Sequence, residues 1–177
     1  MPITARRATL DEVFQVRWDV LRPNRPREVA CFPGDDAPES IHAGAFDAEG
    51  RNVACATLTR VDWKPIDALG EHTPPQPAWQ LRGMGVIASL QGQGVGQLLL
   101  TTLEDLARAS PETAKHGIRL LWCNGRKEAA RFYEKQGWRI ASAEFHIEDV
   151  GPHYKMTRVL AERRRRNSKN ESMMKGE

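Results

Sequence analysis

The sequence of 177 residues predicts a single domain of the α/β class, with strands and helices around one core. Three observations support this prediction. Residues 78–86 are typical of a strand, which runs through a glycine-rich loop directly into an apolar helical pattern. A second strand and a short helix follow at 118–123 and 127–136, and two further strands, near 41–47 and 52–60, are joined around Ala48-Glu49-Gly50. A chain of this length can bury a full core without metals or disulfides.

The first half of the chain begins with one well-marked helix. Thr9-Leu-Asp-Glu12 is a capping box, and the buried stripe of the helix that follows is predicted from Val13, Val16, Val20 and Leu21. The helix should end near Arg22-Pro23, because proline cannot extend it. Residues 22–40 then form a long irregular segment with proline, glycine and acidic residues, and 62–77 form a second one. Long loops in compact domains are often functional.

Glycines mark the strand and helices of the second half. Gly83 and Gly85 interrupt strand 78–86, which predicts a bulge or a close approach by another group. The next helix should end at Ser110-Pro111, and its buried positions are Leu99, Leu100, Leu103 and Leu106. Gly137 is expected to cap the short helix in a left-handed conformation, with Trp138 packed back on it. Strands near 138–148 and 154–160, separated by Asp149 to His153, should complete the sheet.

The glycine-rich loop is the most informative segment. Gly92, Gly94 and Gly96 leave backbone N–H groups uncovered at the positive end of a helix, which suits a pyrophosphate. A P-loop would need Lys-Ser/Thr after the last glycine, where the chain has Gln97-Leu98. A dinucleotide fingerprint counted from Gly92 would need a third glycine at 97 and an acid near 116, and those positions are Gln and His. The form Q/R-x-x-G-x-G/A fits residues 91–96 in full.

With this loop the chain resembles the GNAT superfamily of acyl-CoA-dependent N-acetyltransferases, in which the loop holds the CoA pyrophosphate. A second block, residues 120–138, is similar to the family signature N-A-R-x-x-A-x-x-F-Y-x-x-x-G-F. It begins at Asn124 and includes Ala129, Phe132 and Tyr133; Gly125 replaces the usual Ala and Trp138 replaces Phe. The resemblance spans roughly residues 79–160. It identifies the superfamily and leaves the acceptor open.

The resemblance implies a GNAT fold: a mixed, mostly antiparallel central sheet with a splayed β-bulge strand, flanked by helices. The splayed strand admits the acyl-pantetheine arm, and backbone amides around Gly85 and Val86 would meet the thioester carbonyl. Asn124 matches a family position that contacts the pantetheine or aligns the acceptor. The residues implied to bind the donor are Met84, Gly85, Val86, Gln91, Gly92, Gln93, Gly94, Val95, Gly96, Gln97 and Asn124.

Tyr133 is the candidate catalytic acid. A phenol with a pKa of about 10 can protonate a thiolate whose pKa is about 8.5, if the two lie within hydrogen-bond reach. The competing interpretation is that Tyr133 only packs with Phe132 on an amphipathic helix. A general base stays open among five residues, namely His42, His153, Asp35, Asp36 and Glu39. Cys123 belongs to an apolar strand, and buried thiols of this kind are usually inert.

The implied function is acetyl-CoA-dependent N-acetyl transfer, with direct attack by a primary amine of a small molecule or peptide in a ternary complex. Acetyl-CoA is then a cosubstrate, and no metal is expected. The acidic loop at 33–40 hints at a cationic acceptor. An alternative is a CoA-binding sensor or partner module without turnover, and a third hypothesis is a nucleic-acid or ribosome binder that acts through its tail.

Composition sets the expected domain limits and compartment. Residues 161–177 carry six Lys or Arg against three acids, a difference of +3 that equals the net charge of the chain, so residues 1–160 are neutral overall. We therefore expect one domain at 1–160 and a basic, disordered tail at 161–177. The basic residues do not belong to a folded face, so nucleic acid is not an expected partner.

Three cysteines without a C-x-x-C motif favour neither a metal site nor a disulfide framework. With no signal-like segment and no apolar run of about 18 residues, we expect a cytoplasmic protein without membrane contact. The sequence does not decide the oligomeric state, and a homodimer is one possibility.

Overall fold

The computed structural model describes residues 2–65 and 74–160. Part of the predicted irregular stretch (66–73) and the predicted tail (161–177) lie outside the described residues. In the described part the strands are β1 Thr4–Ala8, β2 Ile41–Phe46, β3 Asn52–Arg60, β4 Trp79–Val86, β5 Leu120–Arg126, β6 Arg139–Ile140, β7 Phe145–Ile147 and β8 Gly151–Val159. The helices are α1 Leu10–Leu21, α2 Val95–Ala109, α3 Pro111–His116 and α4 Ala130–Lys135. Short 3-10 turns occur at Arg27–Ala30, Ala88–Leu90 and Lys127–Ala129.

The strands form one mixed sheet in the order β1-β2-β3-β4-β5-β8-β6, with β7 also paired to β8. The β4–β5 pair is parallel, and the other described strand pairs are antiparallel. Helices cover both faces of this sheet. The predicted mixed, mostly antiparallel sheet flanked by helices is therefore confirmed.

The two faces of the sheet are distinguished by alternate residues of β3. Ala54, Ala56 and Leu58 join the main core with leucines of α2. Cys55 on the opposite face packs with Val13 and Val16 of α1. We call these the α2 face and the α1 face of the sheet. α4 contributes Tyr133 to the core on the α2 face.

Helix α1 begins and ends where the sequence predicts. Thr9 Oγ1 accepts a hydrogen bond from the Glu12 N–H at 3.2 Å, and Glu12 Oε2 accepts one from the Thr9 N–H at 2.8 Å, so the capping box is present. The helix ends at Leu21, two residues before Pro23. Its buried face also contains Arg17, whose side chain is fully buried.

Several boundaries differ from the predictions. Strand β1 was not predicted, because three of its five side chains are exposed and leave no apolar alternation; β2 supplies its hydrogen bonds. The predicted strand 138–148 consists of the two short strands β6 and β7, because between them Ser142 Oγ accepts the Lys155 N–H at 2.8 Å. Ser110 ends α2 as predicted, but its side chain also caps α3, a helix that the sequence analysis did not include.

Further differences concern β5 and the helices. β5 continues to Arg126, so Asn124 lies inside the strand instead of at its end, and His153 lies in β8 instead of the turn before it. The predicted helix 127–136 begins with a 3-10 turn, and Leu106 is half-buried. Gly137 has the predicted positive φ, +82°, and Trp138 packs against Tyr133.

The predicted bulge is present in β4. Cys55 pairs with Gly85 and Thr57 with Arg82, so β4 carries one more residue than β3 between these pairs. Gly83 adopts a φ of +57°, and a Cβ there would lie 2.8 Å from Arg17 Nε. Glycine is therefore needed both for the backbone conformation and for the close approach of the Arg17 side chain.

The parallel pair β4–β5 separates after three residue pairs. Trp79, Gln80 and Leu81 pair with Leu121, Trp122 and Cys123, and no later residue of either strand pairs across this boundary. From Arg82 onward β4 pairs only with β3, while β5 pairs only with β8. The result is an opening in the middle of the sheet, between residues 82–86 and 124–126.

Candidate functional site

The glycine loop lies at the N-terminus of α2, beside this opening. Gly92 and Gly94 have φ values of +74° and +83°, and no atom lies within 4 Å of where their Cβ atoms would be. Gly94 is the N-cap of α2, and no side chain caps this helix. The first N–H groups of a 15-residue helix are thus uncovered, together with the positive end of its dipole. Such an arrangement can bind an anion.

Two glutamine side chains fix the conformation of this loop. Gln91 Nε2 donates a hydrogen bond to the carbonyl of Val86 at 2.9 Å, and Gln93 Nε2 donates to the carbonyl of Ser89 at 2.8 Å. The first bond ties the loop to the last residue of β4. The loop therefore has a defined position relative to the opening in the sheet.

The N-terminus of α2 also contacts α4 and β4. A Cβ at Gly96 would lie 3.2 Å from the ring of Phe132 and 3.6 Å from Cε of Met84, so glycine allows these elements to approach closely. Met84 belongs to the part of β4 that has no neighbour on the β5 side. The predicted donor-site residues of β4 and α2 therefore meet the helix that carries the candidate acid Tyr133.

Tyr133 lies at this meeting point. Its hydroxyl donates a hydrogen bond to Met84 Sδ at 3.6 Å, and its ring makes edge-to-face contacts with Phe132 and Trp138. Burial raises the pKa of the Tyr133 phenol well above its usual value, and the neighbouring Cys123 adds to this effect. The side chain is therefore a neutral hydrogen-bond donor at pH 7. The ring of Tyr133 therefore packs in the core, as the competing interpretation holds, while its hydroxyl contacts Met84 of β4.

Asn124 lies on the other face of the sheet. Cys123 belongs to the core on the α2 face, so the next residue of the strand points to the α1 face, where Asn124 is exposed. On that face β4 is in close contact with α1, since a Cβ at Gly85 would lie 2.9 Å from Val20 Cγ1. Tyr133 and Asn124 thus lie on opposite sides of the opening.

His42 and Asp35, two base candidates, belong to a buried network with Arg17 and Thr57. His42 Nδ1 lies 2.8 Å from Thr57 Oγ1, and its Nε2 lies 2.9 Å from the carbonyl oxygen of Asp35. Burial lowers the pKa of His42, so the ring is neutral at pH 7. The Asp35 carboxylate accepts from Arg17 Nη1 at 2.6 Å and from the Phe32 N–H at 2.7 Å. Both ring nitrogens of His42 and Oδ2 of Asp35 are therefore engaged within this network.

The other three base candidates do not converge either. His153 lies in β8 opposite Arg126, and its Nδ1 lies 2.7 Å from the carbonyl oxygen of Gly151. Asp36 is exposed and Glu39 is half-buried in the loop that follows Asp35. The geometry therefore assigns no side chain as the base.

Three arginines near the opening were not identified from the sequence. Arg22 follows α1, Arg82 is the first residue of β4 without a partner on β5, and Arg126 is the last residue of β5. The only available signal was that Arg82 and Arg126 each adjoin a glycine next to a strand end, at Gly83 and Gly125.

Cysteine and metal chemistry receive no support from the described residues. Burial raises the pKa of Cys55 to about 12 and also raises that of Cys123, so neither thiol is a ready nucleophile. Within 2–65 and 74–160, no three His, Cys, Asp or Glu side chains are grouped as a metal would require. No helix in these ranges has the length and apolar character needed to cross a membrane.

Comparisons with known proteins agree with this geometry. The family model for the acetyltransferase (GNAT) family matches residues 8–138. The N-acetyltransferase YitI of Bacillus subtilis (strain 168), itself described as uncharacterized, is 27% identical over 152 residues, which cover 86% of this chain and 93% of YitI.

Solved structures show the same fold. The crystal structure of Escherichia coli ElaA superposes with a TM-score of 0.65 at 18% identity, covering 89% of this chain and 99% of ElaA. Arabidopsis thaliana NAA60 in complex with acetyl-CoA superposes with a TM-score of 0.63 at 12% identity, covering 89% and 98% of the two chains.

Proposed function

Because the chain belongs to the acetyltransferase (GNAT) family, we propose that it transfers the acetyl group of acetyl-CoA to a primary amine of a small molecule or peptide. The amine attacks the thioester directly while both substrates are bound. One observation carries the proposal: the sheet opens between β4 and β5 beside the uncovered N-terminus of α2, and Tyr133 lies there.

The donor would lie along β4. Backbone N–H groups of residues 91–97 would hold the CoA pyrophosphate at the helix N-terminus. Residues 82–86 have no strand neighbour on the β5 side, so the amides of the pantetheine arm can pair with this edge as an added strand does. The flexible Met84 side chain, now against Tyr133, can change rotamer to admit the acyl group.

The reaction forms a C–N bond and breaks a C–S bond. Attack by a neutral amine places negative charge on the thioester oxygen, which backbone N–H groups near Gly85 and Val86 would stabilise. Collapse of this intermediate releases the CoA thiolate. The Tyr133 hydroxyl is the proposed donor to that sulfur, and its raised pKa means that it keeps its proton until the thiolate has formed.

The amine must lose a proton before or during the attack. His42 and Asp35 are engaged in the buried network, so we propose that water in the opening accepts this proton. The proton balance closes in three transfers: solvent takes one proton from the amine, the thiolate gains one from Tyr133, and the Tyr133 phenolate regains one from solvent.

Replacing Tyr133 with phenylalanine tests this role. We expect Tyr133→Phe to lower kcat about 100-fold, in the range typical of a lost general acid, while the Kd for acetyl-CoA stays the same. Release of free CoA thiol with a panel of amines measures kcat, and calorimetry measures Kd.

The chain has two tyrosines, which provides a matched control. Tyr154 lies on β8 opposite Gly125, but its hydroxyl donates to the exposed Glu144 at 3.1 Å and not to β4, so Tyr154→Phe should keep the wild-type kcat. Equal kcat in both variants would remove Tyr133 from the mechanism. Tight acetyl-CoA binding without transfer to any amine would instead favour a CoA-binding sensor.

A further inference from the structure

We propose that the acceptor amine carries an anionic group, a carboxylate or a phosphate, bound by Arg22, Arg82 and Arg126. These three residues are called the arginine cluster below. Transfer to such an acceptor rests on the proposed function, whereas binding of the anion does not.

The guanidinium groups of the cluster converge on the end of α1 and the loop that follows it. Arg22 Nη1 and Arg126 Nη2 donate to the same carbonyl, that of Leu21, at 2.8 and 3.3 Å. Arg82 Nη1 donates to the carbonyl of Pro33 at 3.2 Å. The adjacent Phe32 ring lies 5.9 Å from Arg22 Cζ. Arg22 and Arg126 therefore meet at one carbonyl, and Arg82 is hydrogen-bonded to the residue that follows Phe32, whose ring lies near Arg22.

In the described part of the chain, no carboxylate forms an ion pair with these guanidinium groups. All three arginines are half-buried. Burial lowers the pKa of Arg22, as do the nearby charges of Arg126 and Arg25. Burial also lowers the pKa of Arg82, and the negative charge of Asp35 offsets only part of this effect. The C-terminal dipole of α1 offsets part of this repulsion but cannot cancel three charges. A bound anion would compensate them.

The cluster lies on the acceptor side of the opening. Arg126 is two residues after Asn124 and shares the α1 face with it, and Arg82 pairs with Thr57, which bonds to Arg17 of α1. The uncovered N–H groups proposed to hold the CoA pyrophosphate belong to α2, on the other face. The arginines are therefore placed to bind the second substrate and not the phosphates of the donor.

The acidic loop at 33–40, which hinted at a cationic acceptor, has one buried carboxylate. Its residue Asp35 is buried and paired with Arg17 at 2.6 Å, so it cannot bind a cationic acceptor. Asp149, in the turn before β8, is paired with Arg25 at 3.2 Å. The arginine cluster leads to an expectation opposite to the cationic acceptor at which the acidic loop hinted.

Calorimetry with simple anions tests the cluster without knowledge of the acceptor. Succinate and inorganic phosphate are titrated separately into the full chain saturated with CoA, so that the α2 loop is already filled. We expect one of them to bind with one-to-one stoichiometry, about tenfold more weakly to Arg126→Gln and Arg82→Gln. Arg7→Gln is the control and should bind as the wild type does. Arg7 is exposed on the edge strand β1, which is separated from β4 by β2 and β3. Absence of binding, or equal affinity in all four proteins, would overturn the proposal.

A transfer assay then identifies the anion. Each α-amino acid is compared with its amide, and an aminoalkyl phosphate with the matching amino alcohol. We expect the charged member of a pair to be preferred by at least about tenfold in kcat/KM, and Arg126→Gln to remove the preference by raising KM at unchanged kcat.

Preference for uncharged or cationic amines would overturn the inference and leave the proposed function intact. A weaker Kd of Arg126→Gln for acetyl-CoA would also overturn it, because the arginines would then serve the donor. If the protein bound neither CoA nor acetyl-CoA, the proposed function would fail, and titration of the unliganded chain would still decide the anion site.

Discussion

At Gly94, the effect of a substitution on stability can be measured separately from its effect on acetyl-CoA binding. Its φ is +83°, and no atom lies within 4 Å of where its Cβ would be. Gly117, at the end of α3, has a φ of +60° and equally open surroundings. Alanine at either position should lower the free energy of unfolding by about 1 kcal/mol, because a side chain disfavours this region. Only Gly94→Ala should also weaken acetyl-CoA binding, because its N–H belongs to the loop proposed to hold the pyrophosphate.

Denaturant titration and calorimetry measure the two effects. If both variants lose the same stability and bind acetyl-CoA as the wild type does, Gly94 has no part in the donor site. A loss of affinity in Gly117→Ala would point instead to a general effect on the fold.

Residues differed in how well the sequence predicted them. The loop glycines and Tyr133 could be proposed as site residues because their motif needs particular residue types at fixed spacing. The burial of Arg17 could not be predicted, because a charged residue on the apolar face of α1 has no local signal; its partners Asp35 and Thr57 are 18 and 40 residues away. Arg22 and Arg126 likewise come together only in the folded chain.

At the scale of elements, the buried network links α1, its following loop, β2 and β3, and it makes stability depend on pH. Burial lowers the pKa of His42 in the folded protein, whereas the unfolded chain titrates near 6.5. Below about pH 6.5 the unfolded state takes up a proton that the folded state does not, so stability is full above this pH and falls as the pH decreases. His42→Gln should therefore show a weaker loss of stability between pH 7 and 5.

Chemical denaturation at several pH values measures this slope. The wild-type chain, denatured at the same pH values, is the reference for this slope. An unchanged slope in His42→Gln would mean that other groups produce the pH dependence in this range.

Element prediction succeeded where local rules decide the structure. The capping box and Pro23 fix α1, and Gly137 ends the helix before β6. The edge strand β1 and the short strands β6 and β7 were missed or merged, because neighbouring strands define them through hydrogen bonds that periodicity does not contain. The separation of β4 from β5 was implied by the family resemblance and not by the residues themselves.

At the scale of the whole molecule, the donor site should be independent of residues 161–177. The residues proposed to bind acetyl-CoA lie between Met84 and Asn124, within the described part of the chain. Deletion of 161–177 should therefore leave the Kd for acetyl-CoA unchanged. A single-stranded RNA oligonucleotide tests the tail hypothesis: any binding by the full chain should vanish in the shortened one. Loss of acetyl-CoA binding on deletion would contradict the proposed domain limit at residue 160.

The central claim is that the loop at α2 and the opening between β4 and β5 hold acetyl-CoA. Isothermal titration of the purified chain with acetyl-CoA, with CoA and NAD as comparisons, tests it most directly. The account predicts micromolar, one-to-one binding of acetyl-CoA and no heat with NAD. Absence of acetyl-CoA binding, or equal binding of NAD, would mean that the loop and the opening are only parts of the scaffold.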